Sequence, residues 1–402
     1  MVAEKYTNFM YNFIKRVMDE VGPRVPCSED EKKAGRMLVN ELKPVCDRVD
    51  VEKFRCSPYA FLGFLPFAVL LYLVALPLYW YYPPAALAIS VAGFCMLFFQ
   101  FVRYREFLDF MFPKREGENV LGIIKPKGEI KRRLIVGGHL DSAYEFNLWY
   151  IFKNAAIPVM IVGIAAVLLL LGGSAAKTIA FFMGGAGAPV YRIIGIICVA
   201  LSPFVSLFIV FHTYKPVPGA MDDIAGVAVA AGLGKYLADA KKDGSFFPQN
   251  TEVVIFGVSS EEAGLRGSKR YITKHREELS KTPTYVIMVD GVCEEEYLTV
   301  IDREICMSAK HSPELVQMAL DSAAERKLKM RKKLVPLGAS DASAFSVAGV
   351  PATCILCQNV DKLVFNYHTR HDVIDHIRPE ALTVSLQVVI DMLEKIDRKT
   401  SD

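Results

Sequence analysis

The stretch LIVGGHLDS, residues 134–142, passes from three strand-favouring aliphatic residues through a glycine pair into His139 and Asp141. An apolar run of that length, stopped abruptly by ionisable residues, reads as a buried strand whose carboxyl end carries chemistry. The pattern recurs twice downstream: Glu252 to Val258 runs into Ser259, Ser260, Glu261 and Glu262, and Thr284 to Val289 runs into Asp290 and Gly291. Helical spacing occupies Tyr6 to Glu20, Ser28 to Leu42, Gly226 to Lys241, Ser312 to Lys327 and Arg378 to Lys395. The second of these opens with Ser28 as a cap and with Glu29, Asp30 and Glu31 in its first turn. Strands alternating with helices predict an α/β fold, a sheet covered by helices. In such sheets ligands gather at the carboxyl ends of the strands.

Not all of the 402 residues fit that sheet, because 52% of them are hydrophobic, a high share for a water-soluble enzyme. From Ala60 to Val102 the chain carries no charge, and Pro83 and Pro84, after the aromatic run Tyr79 to Tyr82, divide it into two stretches of spanning length. A second pair follows, Ala155 to Leu171 and Ile193 to Phe211, joined by a small-residue link around Gly172 to Gly187. Its first member is short for a span, and no ionisable residue falls well inside any of the four segments. The expected organisation is a hydrophilic domain made of 1–58, 103–150 and 212–402, interrupted by a transmembrane hairpin at 59–102 and a second transmembrane pair at 151–211. Lys and Arg are dense before residue 59 and again from Arg103 to Arg133, whereas the link of the second pair holds only Lys177 and Arg192. By the positive-inside rule the hydrophilic bulk faces the cytoplasm. The start of the chain, charged and amphipathic up to Pro58, has no secretory-signal pattern, so insertion is expected from the internal segments.

A net charge of +3 gives no reason to expect nucleic acid as a partner. The nine cysteines show no framework spacing and read as free thiols. Cys354 and Cys357 fall inside the apolar run Ala352 to Cys357, which reads as a buried strand and not as a metal knuckle.

Chemistry concentrates at five places. His139 projects from a strand end, and the Asp141 carboxylate, two residues on, is within reach of its second ring nitrogen. Asp222 and Asp223 lie in a turn just before a helix, where capping alone could explain them. Glu261 and Glu262 are adjacent carboxylates at a strand end, and they repel one another unless a cation or a proton intervenes. Asp290 ends the third strand, and His368 belongs to a polar cluster near residue 370. Together these clusters offer the mixed nitrogen and oxygen donors of two zinc ions with one shared carboxylate.

In this order the motifs GGHLDS (137–142), PGAMDDIAG (218–226), SSEEAGLRGS (259–268), VDG (289–291), SDASAF (340–345) with GVP (349–351), and YHTRHD (367–372) closely resemble the co-catalytic zinc aminopeptidases of metallopeptidase family twenty-eight. VGPRVPCSEDEKKAGRMLVNEL (21–42) resembles the family's N-terminal helices. The resemblance covers the chain outside the two hydrophobic pairs and implies a three-layer α/β/α zinc exopeptidase-like sandwich. It makes His139 and Asp290 ligands of one zinc, Glu262 and His368 ligands of the other, Asp222 the bridging carboxylate and Glu261 the general base. Asp141 would orient His139, and Asp341 would be an outer partner of the site. His371 and His376 match no motif position.

The implied activity is aminopeptidase hydrolysis of peptides. The second hydrophobic pair falls between His139 and Asp222, which leads to the expectation that substrates are peptides at the membrane surface. Glutaminyl-peptide cyclisation on the same fold, a catalytically silent membrane scaffold and a transporter with a degenerate hydrolase domain are the alternatives.

Overall fold

The computed structural model describes residues 1–362 and 364–399. They form two compact units, one made of Met1–Pro58, Lys114–Tyr144 and Pro216–Asp402, the other of Tyr59–Pro113 and Glu145–Lys215.

The first unit is built on a mixed sheet of nine strands among the described residues: β1 Arg48–Cys56, β2 Arg115–Ile124, β3 Arg132–His139, β4 Thr251–Val258, β5 Thr284–Val292, β6 Leu298–Glu304, β7 Ala309–Lys310, β8 Arg331–Val335 and β9 Ala352–Cys357. They lie in the order β1-β2-β4-β3-β5-β9-β6-β7, with β8 also paired to β6. The centre, β4-β3-β5-β9, is parallel, and the flanks are mostly antiparallel. Strands β3, β4 and β9 are buried along their whole length, which is why each reads as an unbroken apolar run without alternation.

Helices cover both faces. Leu134, Val136, Val253, Ile255, Ile287 and Val289 point to one side, against helices Glu4–Glu20, Glu29–Leu42, Ala225–Asp243, Pro313–Glu325 and Pro379–Asp397. Ile135, Val254, Phe256, Val286 and Met288 point to the other, where Tyr271, Leu279, Ala342 and Phe345 meet them. The result is the three-layer α/β/α sandwich that the motifs imply. Helix Ala225–Asp243 lies unusually close to the sheet: a Cβ on Gly226 would stand 2.1 Å from the Val289 carbonyl oxygen, and one on Gly138 would stand 2.5 Å from Asp223 Oδ2. Close approach of backbones requires glycine at both positions.

The second unit contains four helical segments long and apolar enough to cross a membrane: Ala60–Tyr81, Pro83–Val102, Asn147–Phe182 and Pro189–Val210. Tyr72, Ala75, Tyr79, Ala86, Ala166, Leu170, Cys198 and Val205 form its interior. The tyrosine hydroxyls are satisfied there, Tyr72 donating to the Cys198 carbonyl at 2.8 Å and Tyr79 to the Tyr191 carbonyl at 2.9 Å. One expectation is corrected in this unit. The third segment does not end at Leu171, because helix Ala156–Phe182 continues through the glycine pair for a further three turns. Lys177 is therefore inside a helix and not in a link. Its ammonium is buried, donates to the Tyr79 carbonyl at 2.7 Å, and lies 4.5 Å from the Tyr79 ring and 5.3 Å from the Trp80 ring. A cation beside the last carbonyls of a neighbouring helix and over two aromatic faces is stabilised by both.

Candidate metal centre

Parallel register brings the three strand ends level. His139 pairs with Val258 across β3 and β4, and Gly137 pairs with Met288 across β3 and β5, so His139 and Asp290 stand two residues beyond the same rung. The chain after β4 turns at once through Ser260, at φ 61°, and delivers Glu261 and Glu262 to the same edge. Asp222 and Asp223 arrive from the turn before helix Ala225–Asp243, and His368 from the turn before helix Pro379–Asp397.

These side chains converge. Ligand atoms of His139, Asp222 and Glu262 lie within 4.8 Å of one another, as do those of His139, Asp223 and Asp290. His139 Nε2 is 2.9 Å from Asp222 Oδ1, and His368 Nε2 is 3.1 Å from Asp222 Oδ2 and 3.2 Å from Glu262 Oε1. All five positions expected as ligands thus belong to one cluster. Glu261 is level with it and feels the charges of His139, Glu262, Asp341 and Asp290.

Asp141 faces His139 with both its carbonyl and its carboxylate. His139 Nδ1 lies 3.1 Å from the main-chain oxygen of Asp141 and 3.5 Å from its carboxylate, so the backbone carbonyl is the nearer acceptor. The carboxylate also accepts the Glu261 N–H at 3.0 Å and the Glu262 N–H at 2.9 Å. It positions the acid pair. Asp341 is buried at the start of helix Asp341–Val347, close enough to His139 and Asp141 to feel their charges.

Three further residues support the site, and of these only Asp223 is marked in the sequence, as a possible helix cap. The Asp372 carboxylate accepts the N–H groups of Met221 at 2.7 Å and Asp222 at 3.1 Å. Asp223 accepts from His139 N and Gly226 N, both at 3.0 Å, and so ties β3 to the following helix. Arg24, fully buried, donates to the carbonyls of Leu140 (2.8 Å), Pro218 (2.8 Å) and Gly219 (2.7 Å), clamping the loops that lead out of β3 and into Asp222. The quoted motifs contain all three, yet only the folded chain shows what their polar atoms hold.

Electrostatics says what the cluster suits. Burial and the Asp222 charge push Asp290 up to about 8, and burial likewise raises Glu261 and Glu262. Burial opposes ionisation of Asp222 too, but its hydrogen bonds to His139 and His368 outweigh this and hold it below the usual carboxylate range. Two imidazoles cannot balance so many buried acids. A mixed set of imidazole and carboxylate donors with surplus negative charge fits divalent cations, zinc above all.

A sheet of this order, with such a cluster at the carboxyl ends of its parallel strands, is a zinc exopeptidase-like fold. The model of peptidase family M28 matches residues 207–393 of this chain. No curated protein matches it by sequence. Among solved structures, a glutaminyl cyclase from an Acidobacteriales bacterium superposes with a TM-score of 0.58 at 14% identity, covering 98% of this chain and 96% of that one. An aminopeptidase from Aneurinibacillus sp. strain AM-1 gives 0.57 at 15% identity, covering 97% and 93%. A zinc aminopeptidase from Bacillus subtilis gives 0.56 at 14%, covering 98% and 95%. At these identities the likeness establishes the fold.

Proposed function

We propose that this chain is a membrane-integrated aminopeptidase using two zinc ions held by His139, Asp222, Glu262, Asp290 and His368. The observation that carries the reading is the sharing of Asp222, whose two carboxylate oxygens face two different histidines, at 2.9 and 3.1 Å. His139 and Asp290 would hold one ion, Glu262 and His368 the other, with Asp222 common to both. Bound zinc supplies Lewis acidity that polarises a peptide carbonyl and lowers the pKa of water. Glu261, its main-chain N–H fixed by Asp141, takes a proton from the attacking water and returns it to the leaving amine. Asp222 keeps its orientation through Asp372 and the Arg24 clamp on the preceding loop.

The four apolar helices support an integral membrane protein, and the charge bias of the sequence supports a catalytic unit on the cytoplasmic side. The membrane helices of the second pair enter the chain between His139 and Asp222, which favours peptides at the bilayer surface as substrates. Metal analysis of the purified protein, joined to a screen of aminoacyl and N-blocked peptides, tests the reading. Two zinc per chain with turnover only of free N-termini is the expected result. One zinc per chain, with cyclisation of N-terminal glutamine, would move the assignment to the activity named for the Acidobacteriales neighbour.

A further inference from the structure

Beside the metal centre, the loop before helix Glu29–Leu42 and the last residue of β1 meet at two thiols. Cys27 Sγ lies 3.4 Å from Cys56 Sγ and 3.3 Å from Ser260 Oγ. Both thiols are buried, Cys27 at 6% exposure and Cys56 at 2%. The same region shares one carboxylate: Glu31 accepts the Cys27 N–H through Oε2 and the Ser260 N–H through Oε1, each at 2.7 Å. Ser260 immediately precedes Glu261. Movement of Cys27 therefore reaches the backbone of Glu261 by a hydroxyl contact and by a common carboxylate.

We propose that Cys27 and Cys56 are a reversible oxidative modification site, closing to a disulfide that slows the chemistry at Glu261. A disulfide needs its sulfurs at about 2.05 Å, roughly 1.4 Å closer than they stand in the dithiol. Closure draws Cys27 Sγ towards Cys56 and away from the Ser260 hydroxyl. The oxidant is hydrogen peroxide. The Cys27 thiolate attacks one peroxide oxygen and breaks the O–O bond, giving a sulfenic acid and hydroxide. The Cys56 sulfur then attacks the sulfenic sulfur, and water leaves. Two thiols are oxidised, one peroxide is reduced to two waters, and a dithiol reductant reverses the change. The hydrogen bond from Cys56 favours the thiolate on Cys27, against the burial that opposes it.

The effect on turnover rests on the role assigned above to Glu261; the crosslink itself does not. The test treats the zinc-loaded full chain in detergent with hydrogen peroxide, alkylates the remaining thiols and maps the peptides. A linked Cys27–Cys56 peptide, a severalfold fall in kcat with KM little changed, and recovery with a dithiol are expected. Cys56→Ser should turn over normally when reduced and yield a dimedone adduct at Cys27 instead of the link. If both thiols stay alkylatable after peroxide, or the link forms with kcat unchanged, the proposal is overturned. An enzyme inactive on every peptide even when reduced would overturn the peptidase reading, and the peptide map would still decide the crosslink.

Discussion

At the residue scale, the proposed base and its neighbours divide tasks among carboxylates that look alike in sequence. Asp222 faces two histidines, Asp141 accepts the two amides of the acid pair, and Glu261 lies outside both groups of converging ligand atoms found among the described residues. Glu261→Gln keeps the shape and removes the proton acceptor. It should lower kcat by about 10²- to 10⁴-fold while zinc content stays at the wild-type level, and loss of metal in parallel with activity would instead mark Glu261 as a ligand. Away from the centre, His275 joins two elements: Nε2 lies 2.8 Å from Glu52 on β1 and Nδ1 2.9 Å from Glu278. Donation of its ring N–H to the Glu52 carboxylate raises the His275 pKa above 6.5, against its burial. A raised folded-state pKa gives stability that is complete below the unfolded value and fades as pH climbs through the folded one. The Tm deficit of His275→Gln should accordingly be largest near about pH 6 and shrink towards about pH 8; a deficit that grows with pH would refute the charged pairing. The spacing H-x-D announced a partner for His139, but two residues of separation leave carbonyl and carboxylate both within reach. Only the fold shows that the carboxylate also takes up the Glu261 and Glu262 amides.

At the element scale, the buried strands were legible and the partly exposed ones were not. β3, β4 and β5 announce themselves because both faces are covered. β1, with RVDVEKFRC half open to solvent, and β2, which begins Arg-Glu-Gly-Glu-Asn, offer too little apolar pattern against their charges. Helix Ala156–Phe182 ran past its expected end for the opposite reason. In an apolar environment a glycine pair does not stop a helix whose backbone has no other partner. The helix Ala225–Asp243 shows how packing outranks propensity. Alanine in place of a helical glycine gains about 1 kcal/mol from propensity alone. Gly226→Ala should nevertheless destabilise by about 1–3 kcal/mol, since its Cβ would meet the Val289 carbonyl at 2.1 Å and Asp223 Oδ1 at 2.5 Å. Gly234→Ala on the same helix, whose nearest neighbour would be Ile255 at 3.6 Å, should be neutral or stabilising. Denaturant midpoints of the two variants decide the matter, and equal effects would remove the claim of close approach.

At the scale of the whole molecule, every group in the metal cluster belongs to the unit built on the sheet, and none to the unit of apolar helices. The cluster has surplus buried acid, so a bound cation would neutralise a charge the fold otherwise has to accommodate. A cation that binds only the folded unit stabilises it by RT ln(1 + [L]/Kd), about 2.7 kcal/mol at a hundredfold excess over Kd. Stripping the metal with a chelator should then act unevenly along the chain. Amide exchange should quicken in β3, β4, β5 and helix Ala225–Asp243, whose ends carry the donors, and should stay slow in helices Leu65–Tyr81 and Ala156–Phe182, whose backbone partners lie within each helix. Hydrogen exchange followed by peptide mass analysis in detergent, with and without chelator, reads both units in one sample. Unchanged exchange in the strands would mean that the acid cluster is balanced without metal. A matching increase in the apolar helices would mean that the two units unfold as one, and that the inserted helices depend on the centre whose sequence they interrupt.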